Sequence, residues 1–252
     1  YILLGARPSI GKTALGINIA QNLIIRNKSV AFFSYEMSKE LVIERMLKSM
    51  SRVSSKKLSK AKKNGNERYE MEDKDWEKLI KAANYIHQKN FFIDDNPNRT
   101  VADMNSMCRK LKRKNGLDLV IVDYLQKIKP SANGSRREQL EQISNDLKNM
   151  AKQLKVPVIV ISSLSRASQQ RENKIPVMSD LRETGQLEFD ADVIMFLHRE
   201  YYYKPEEKDL KHDADIIIAK NRNGRIGRAK LMWFEEYTRF MSVPEGRETI
   251  NE

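Results

Sequence analysis

The chain has 252 residues, 40% hydrophobic and 32% charged, with a net charge of +12 and a pI near 9.6. That length suits one large α/β domain with a real core, and no stretch approaches the roughly 18 to 20 apolar residues of a membrane span, in line with a mean hydropathy of −0.63. The single cysteine, Cys108, excludes an intrachain disulfide and a thiolate metal cluster, and His87, His198 and His212 are too scattered for a ligand motif.

Tyr1 to Leu4 form the first apolar, strand-like run. Because Tyr1 is not a methionine and nothing precedes this run, the sequence reads as a fragment whose upstream part has been removed. No signal peptide is visible, so the expected compartment is cytoplasmic, of a bacterial cell or of a host cell for a viral protein.

Gly5-Ala6-Arg7-Pro8-Ser9-Ile10-Gly11-Lys12-Thr13 follows, with glycines and the Lys-Thr pair at P-loop spacing. Ala14 to Ile25 reads as the helix that such a loop opens. Glycine lets the backbone wrap a phosphate, so that N–H groups and the helix N-terminus face the anion. The expected nucleotide-binding residues are Gly5, Arg7, Pro8, Ser9, Gly11, Lys12, Thr13 and Ala14, for ATP with Mg²⁺. Lys12 would reach the β- and γ-phosphates and the Thr13 hydroxyl would ligate the metal.

Val30 to Ser34 is the next strand-like run, and Glu36 stands at its end. If that strand neighbours the P-loop strand, Glu36 can activate the attacking water; it can equally be an exposed glutamate in the first turn of a helix. Ser51 to Asp75, dense in Lys, Ser and Glu, is expected as exposed helix and loop, with Lys56 to Lys63 a solvated face. Phe91 to Ile93 is a short strand. Leu119 to Val122 is a buried one, and Asp123 ends it at the carboxyl edge of the sheet, where ligands of such sheets bind. Asp123 can hold Mg²⁺ or cap a helix.

Lys129 to Arg137 reads as a mobile surface loop, and Arg136 to Lys155 as an amphipathic helix through Leu140, Ile143, Leu147, Met150 and Leu154. Strands follow at Val158 to Ile161 and Val193 to Leu197. Ile216 to Ala219 and Lys230 to Phe234 flank the turn-prone Asn221 to Gly227 as a hairpin. Runs apolar throughout, alternating with helices, imply an α/β fold: a mainly parallel twisted sheet, helices on both faces, and an antiparallel edge hairpin.

Taken together, residues 5–14, Phe-Ser-Tyr-Glu-Met (33–37), Val-Asp-Tyr-Leu-Gln (122–126), Ser-Asp-Leu-Arg-Glu-Thr-Gly (179–185), Asp-Ala-Asp-Val-Ile-Met-Phe-Leu-His-Arg (190–199) and Ala-Lys-Asn-Arg-Asn-Gly (219–224) resemble the DnaB-type replicative helicases. The motifs occur in the family's order across nearly the whole chain. The resemblance implies that residues 1–252 are a single RecA-like ATPase domain, with the N-terminal domain and linker helix absent. It further implies a hexameric ring moving on single-stranded DNA to unwind duplex, with a primase and a helicase loader as partners. Carried over by position, Lys12, Thr13 and Asp123 are the phosphate and magnesium residues and Glu36 the catalytic glutamate. Lys220 and Arg222 match a basic pair that a neighbouring subunit inserts toward the γ-phosphate, and Arg182, Glu183 and Gly185 match a channel loop that holds DNA. Ser163 departs from the family's usual Gln, and Phe189 from a usually polar residue.

From residue type and position alone, Lys220 and Arg222 are also compatible with an ordinary basic hairpin. Arg136 and Arg137 in the loop after Asp123, Arg166 and Arg171 after the Val158 strand, and Arg182 are candidate DNA contacts that would track phosphates without reading bases. Two other functions remain open: a RecA-like recombinase-type ATPase forming an open filament, and a nucleotide-gated loader or binding module.

Overall fold

Neighbouring side chains of β4 (Leu119–Asp123) point into two different cores. Val120 and Val122 join one; Leu119 and Ile121 join the other. A strand buried on both faces has no polar alternation, which is why these runs read as continuously apolar. The structure, a computed structural model, describes residues 1–58, 71–131, 133–165, 171–181 and 185–243.

The central strands are β1 (Ile2–Ala6), β2 (Val30–Ser34), β3 (Phe91–Asp94), β4, β5 (Val158–Ser163) and β6 (Val193–His198). They lie in the order β3-β2-β4-β5-β1-β6 and pair in parallel. Parallel neighbours need crossover connections. α1 (Lys12–Ile25), α2 (Lys39–Ser51) and α3 (Asp73–His87) supply apolar side chains such as Ile17, Val42, Met46 and Ile86 to one core. α4 (Val101–Asn115), α5 (Arg136–Leu154) and the short α6 (Gly185–Asp190) supply Met104, Leu140, Leu147 and Leu187 to the other. No helix among the described residues is long and apolar enough to cross a membrane.

The antiparallel edge is larger than a hairpin. β7 (Asp213–Asn221), β8 (Gly227–Phe234) and β9 (Arg239–Ser242) extend the sheet beyond β6 to nine strands. The Arg239 strand, only four residues long, gives no periodic signal of its own. Its place is set by tertiary contact: Phe240 packs on Trp233 with ring centroids 4.4 Å apart, and its N–H donates to Asn18 Oδ1 at 2.6 Å, which closes the edge over α1.

Two local expectations need correction. Of the two overlapping readings at Arg136 and Arg137, the helix holds and the loop does not: both residues open α5, because Ser135 and Glu138 form a capping box that starts the helix there. The segment from Ser51 is not uniformly exposed either, since Val53 and Asp75 are buried and Lys57 pairs with Asp75 at 2.5 Å. Residues 59–70, including Lys60, Lys62 and Lys63, lie outside the described residues.

Ile121 is fully buried on β4, an interior strand covered on both faces. Ile121→Ala is expected to lower unfolding stability by about 2–5 kcal/mol, measured by urea denaturation.

Candidate nucleotide site

Between β1 and α1 the chain reverses through Ser9 at φ 66° and Gly11 at φ 114°. Gly11 is required by that left-handed backbone, and a Cβ there would also sit tightly, 3.1 Å from the Phe240 ring. Gly5 serves differently. It sits inside β1, and a Cβ would lie 2.7 Å from the Phe196 ring and 2.9 Å from Leu164, so sheet packing requires it. Ser38, Thr100 and Ser135 cap α2, α4 and α5 with their side chains, whereas α1 begins at Gly11 with no side-chain cap. Its first-turn N–H groups, with Ala14 among those residues, are left to an anion. Pro8 and Ser9 form the exposed tip of the loop.

Lys12 is 9% exposed. Its Nζ donates to Ser163 Oγ at 2.7 Å and lies 4.6 Å above the Tyr124 ring. Burial pulls its pKa below the ordinary lysine value, opposed by the Glu36 and Asp123 carboxylates. Asp123 is fully buried, and neither carboxylate oxygen has a hydrogen-bond partner of good geometry. Burial pushes its pKa up, and the nearby Thr13 hydroxyl and Lys12 ammonium only partly offset this. A buried, unpaired carboxylate is costly. A cation between Thr13 and Asp123 would remove that cost, so these residues fit Mg²⁺, which takes one or two carboxylates and completes its shell with phosphate oxygens and water. Among the described residues no group of three or more His, Cys, Asp or Glu side chains offers an all-protein metal cage.

The premise placing Glu36 beside the P-loop strand is wrong. β2 pairs with β3 and β4, and two strands, β4 and β5, separate it from β1. Glu36 is exposed, two residues past the end of β2. The neighbour that matters is β4: Ser34 is in register with Asp123, and Tyr35 N–H donates to the Asp123 carbonyl at 2.7 Å. The segments leaving β2 and β4 therefore emerge side by side, and the Glu36 charge acts on both Lys12 and Asp123. Arg45 on α2 acts on Asp123 as well, and nothing in its local sequence marks it out.

Side chains hold the loop from outside. Arg7 is buried and donates to the carbonyls of Leu164 at 3.3 Å and Ser165 at 2.9 Å, so what it offers a phosphate is its backbone. Arg199, over the Trp233 ring, donates to the Ile10 carbonyl at 3.4 Å. Gln126 donates to Ser162 Oγ at 3.0 Å and accepts from Ser163 N–H at 3.3 Å, while its own carbonyl accepts from Arg136 at 2.5 Å.

Lys220 and Arg222 do face the same side. Lys220 Nζ donates to the Glu188 carbonyl at 2.6 Å, and Arg222 donates to the Phe189 carbonyl at 3.3 Å and faces Asp192 Oδ1 at 3.4 Å. They are not at their own chain's P-loop. Lys220 is in register with Ile194 near the start of β6, and Val193 with Ile2 at the start of β1, whereas the P-loop follows the end of β1. At about 3.3 Å per residue the two ends of β1 are roughly 13 Å apart. Phe189 beside them is 70% exposed.

The DNA candidates fare unevenly. Gly185 opens α6 and is exposed, while Arg166, Arg182 and Glu183 lie outside the described residues. Arg137 is exposed and pairs with Glu141 at 3.0 Å. Arg171 is committed elsewhere, bound at 2.6 Å to the buried Asp180.

The raised pKa of Asp123 has a sign consequence. Between the ordinary carboxylate pKa and the raised one, the native state holds a proton that the unfolded state has lost, so stability falls as pH rises through that window. Without divalent cations, Asp123→Asn is therefore expected to raise the thermal midpoint at neutral pH and to flatten its dependence on pH in that window. A lower midpoint in the variant, read by calorimetry in chelator, contradicts this.

The family description "DnaB-like helicase C terminal domain" matches residues 1–242. The replicative DNA helicase DnaB of Geobacillus stearothermophilus is 40% identical over 96% of this chain and 52% of its own length. That of Buchnera aphidicola subsp. Baizongia pistaciae is 44% identical over 98% and 52%. Among solved structures, one described as an ATPase domain superposes with TM-score 0.88 at 40% identity, covering 96% of this chain and 84% of that one. A DnaB-like replicative helicase, described with its interactions with primase, superposes with TM-score 0.90 at 41% identity, covering 96% and 57%. The chain spans about half the length of these curated relatives, 52% in both. With a family match over residues 1–242 and relatives 40% and 44% identical over nearly all of its length, the chain belongs to the DnaB-like helicase C-terminal domain family.

Proposed function

We propose that this chain is the motor domain of a replicative DNA helicase, hydrolysing ATP at sites shared between subunits of a hexameric ring to travel on single-stranded DNA and separate duplex. One observation carries the shared site. Lys12, Thr13 and Asp123 lie at the carboxyl end of the parallel strands, while Lys220 and Arg222 lie at the opposite end of the same sheet. A basic pair at that edge serves a phosphate only on another copy. In this reading residues 1–252 act as a single domain.

Within the site each residue has a separate task. Lys12, held beside Ser163, swings its ammonium onto the β- and γ-phosphate oxygens. Thr13 and Asp123 hold Mg²⁺, which when bound neutralises phosphate charge. Glu36 orients the attacking water and takes its proton, having the exposure for it and standing close enough to Lys12 and Asp123 to act on their charges. Lys220 and Arg222 from the neighbour stabilise charge on the transferred group. Arg182, Glu183 and Gly185 hold the DNA backbone, with Arg166, Arg136 and Arg137 as further contacts. Primase and a loader are the expected protein partners, and the cytoplasm the compartment.

Arginine fingers contribute about 10³ to 10⁵ in rate. Arg222→Ala and Lys12→Ala proteins are each expected to be nearly inactive, and a mixture to regain measurable hydrolysis, because each supplies what the other lacks. Absence of recovery in a verified mixed oligomer rejects the shared site. Glu36→Gln is expected to lower kcat by about 10² to 10⁴ with little change in nucleotide affinity; a parallel loss of affinity argues for a binding role instead.

A further inference from the structure

A single exposed apolar side chain needs no explanation, but the backbone of Phe189 is locked onto a cluster of cations. The carbonyls that end a helix have no partners inside it, and at the end of α6 each receives a cation. Lys220 Nζ donates to the Glu188 carbonyl at 2.6 Å, Arg222 to the Phe189 carbonyl at 3.3 Å, and Lys148 Nζ to the Asp190 carbonyl at 2.7 Å. The Phe189 ring is thereby fixed beside the basic pair, and it is 70% exposed. Ile226, in the turn between β7 and β8 that Arg222 opens, is 68% exposed.

Two features say what covers this edge. The first is charge. Burial, then Arg222 and Lys148, lower the Lys220 pKa, with the Glu188 and Asp192 carboxylates opposing them. The complementary charge stands at the opposite end of the sheet, where Glu36 is exposed and the Asp123 carboxylate has no hydrogen bond of good geometry. The second is apolar surface at that same far end: Leu41, in the first turn of α2, is 49% exposed. One copy cannot bring its own two ends together, so the complement is a second copy in a head-to-tail contact.

We infer that Phe189, with Ile226 beside it, is a positioning residue at the contact between copies: its ring seats on the rim of the neighbour's phosphate site and holds Lys220 and Arg222 in place there. The inference rests on the shared site proposed above. Apolar groups around a charged pair shut water out of the contact, and the pair then acts more strongly on phosphate charge. Loss of the ring weakens the association of copies and leaves the fold of each one intact.

The test measures ATP hydrolysis per subunit against protein concentration for wild type, Phe189→Gln and Phe189→Leu. Oligomer size by sedimentation, the thermal midpoint and affinity for oligo-dT are read alongside. Phe189→Gln is expected to need about tenfold more protein to reach half of its maximal specific activity. Its plateau activity stays within about threefold of wild type, and its thermal midpoint is unchanged because the ring is exposed in a single copy. Phe189→Leu, still apolar, recovers most of the shift. A Phe189→Gln protein that assembles and hydrolyses ATP as wild type does overturns the inference. So does a loss of oligo-dT affinity with assembly unchanged, which would make the ring a stacking platform for bases. The Lys12→Ala and Arg222→Ala mixture separates the two failures. If the mixture recovers activity while Phe189→Gln matches wild type, the inference alone falls; if the mixture stays inactive, the shared site falls and the inference with it.

Discussion

A phosphate loop can grip an anion only if its backbone N–H groups are left free, so the loop must be held by something else. Here that support comes from side chains on every side. Arg7 ties it to the end of β5, Arg199 reaches the Ile10 carbonyl, Phe196 packs against Gly5, and Phe240 closes on Gly11. The antiparallel strands β7 to β9 are thus more than an appended edge. Their return over α1 supplies Trp233 and Phe240, without which the start of α1 would face solvent on that side. A loop clamped from outside and open on its polar face is preorganised for charge.

The same logic explains the buried, unpaired Asp123. Burial of a carboxylate in that position costs stability, and a bound cation would offset it. In the proposed reading the site is built at the expense of stability, as functional sites commonly are. The sheet adds a second constraint. Its parallel strands put Lys12, Thr13 and Asp123 at one end, and the antiparallel turn of β7 puts Lys220 and Arg222 at the other, which is the separation behind the proposed sharing of a site between copies.

Much of this is legible in the residues. Strands buried on both faces announce themselves as unbroken apolar runs, and the P-loop spacing is fixed by its chemistry. The strand beside that of Glu36 is misjudged from sequence, because strand order is set by crossover connections that single-sequence patterns do not record. Arg136 and Arg137 belong to a helix that Ser135 and Glu138, three apart, already spell out as a capping box, although the preceding Pro, Ser, Asn and Gly suggest a loop. β9, the inward turn of Arg7 and the proximity of Arg45 to Asp123 depend on contacts between distant segments, and no local pattern carries them.

The most direct test of a site shared between copies is ATP hydrolysis per subunit against protein concentration, with and without single-stranded DNA. A steep rise of specific activity with concentration, increased further by DNA, is the predicted result. Flat activity indifferent to DNA would contradict the account.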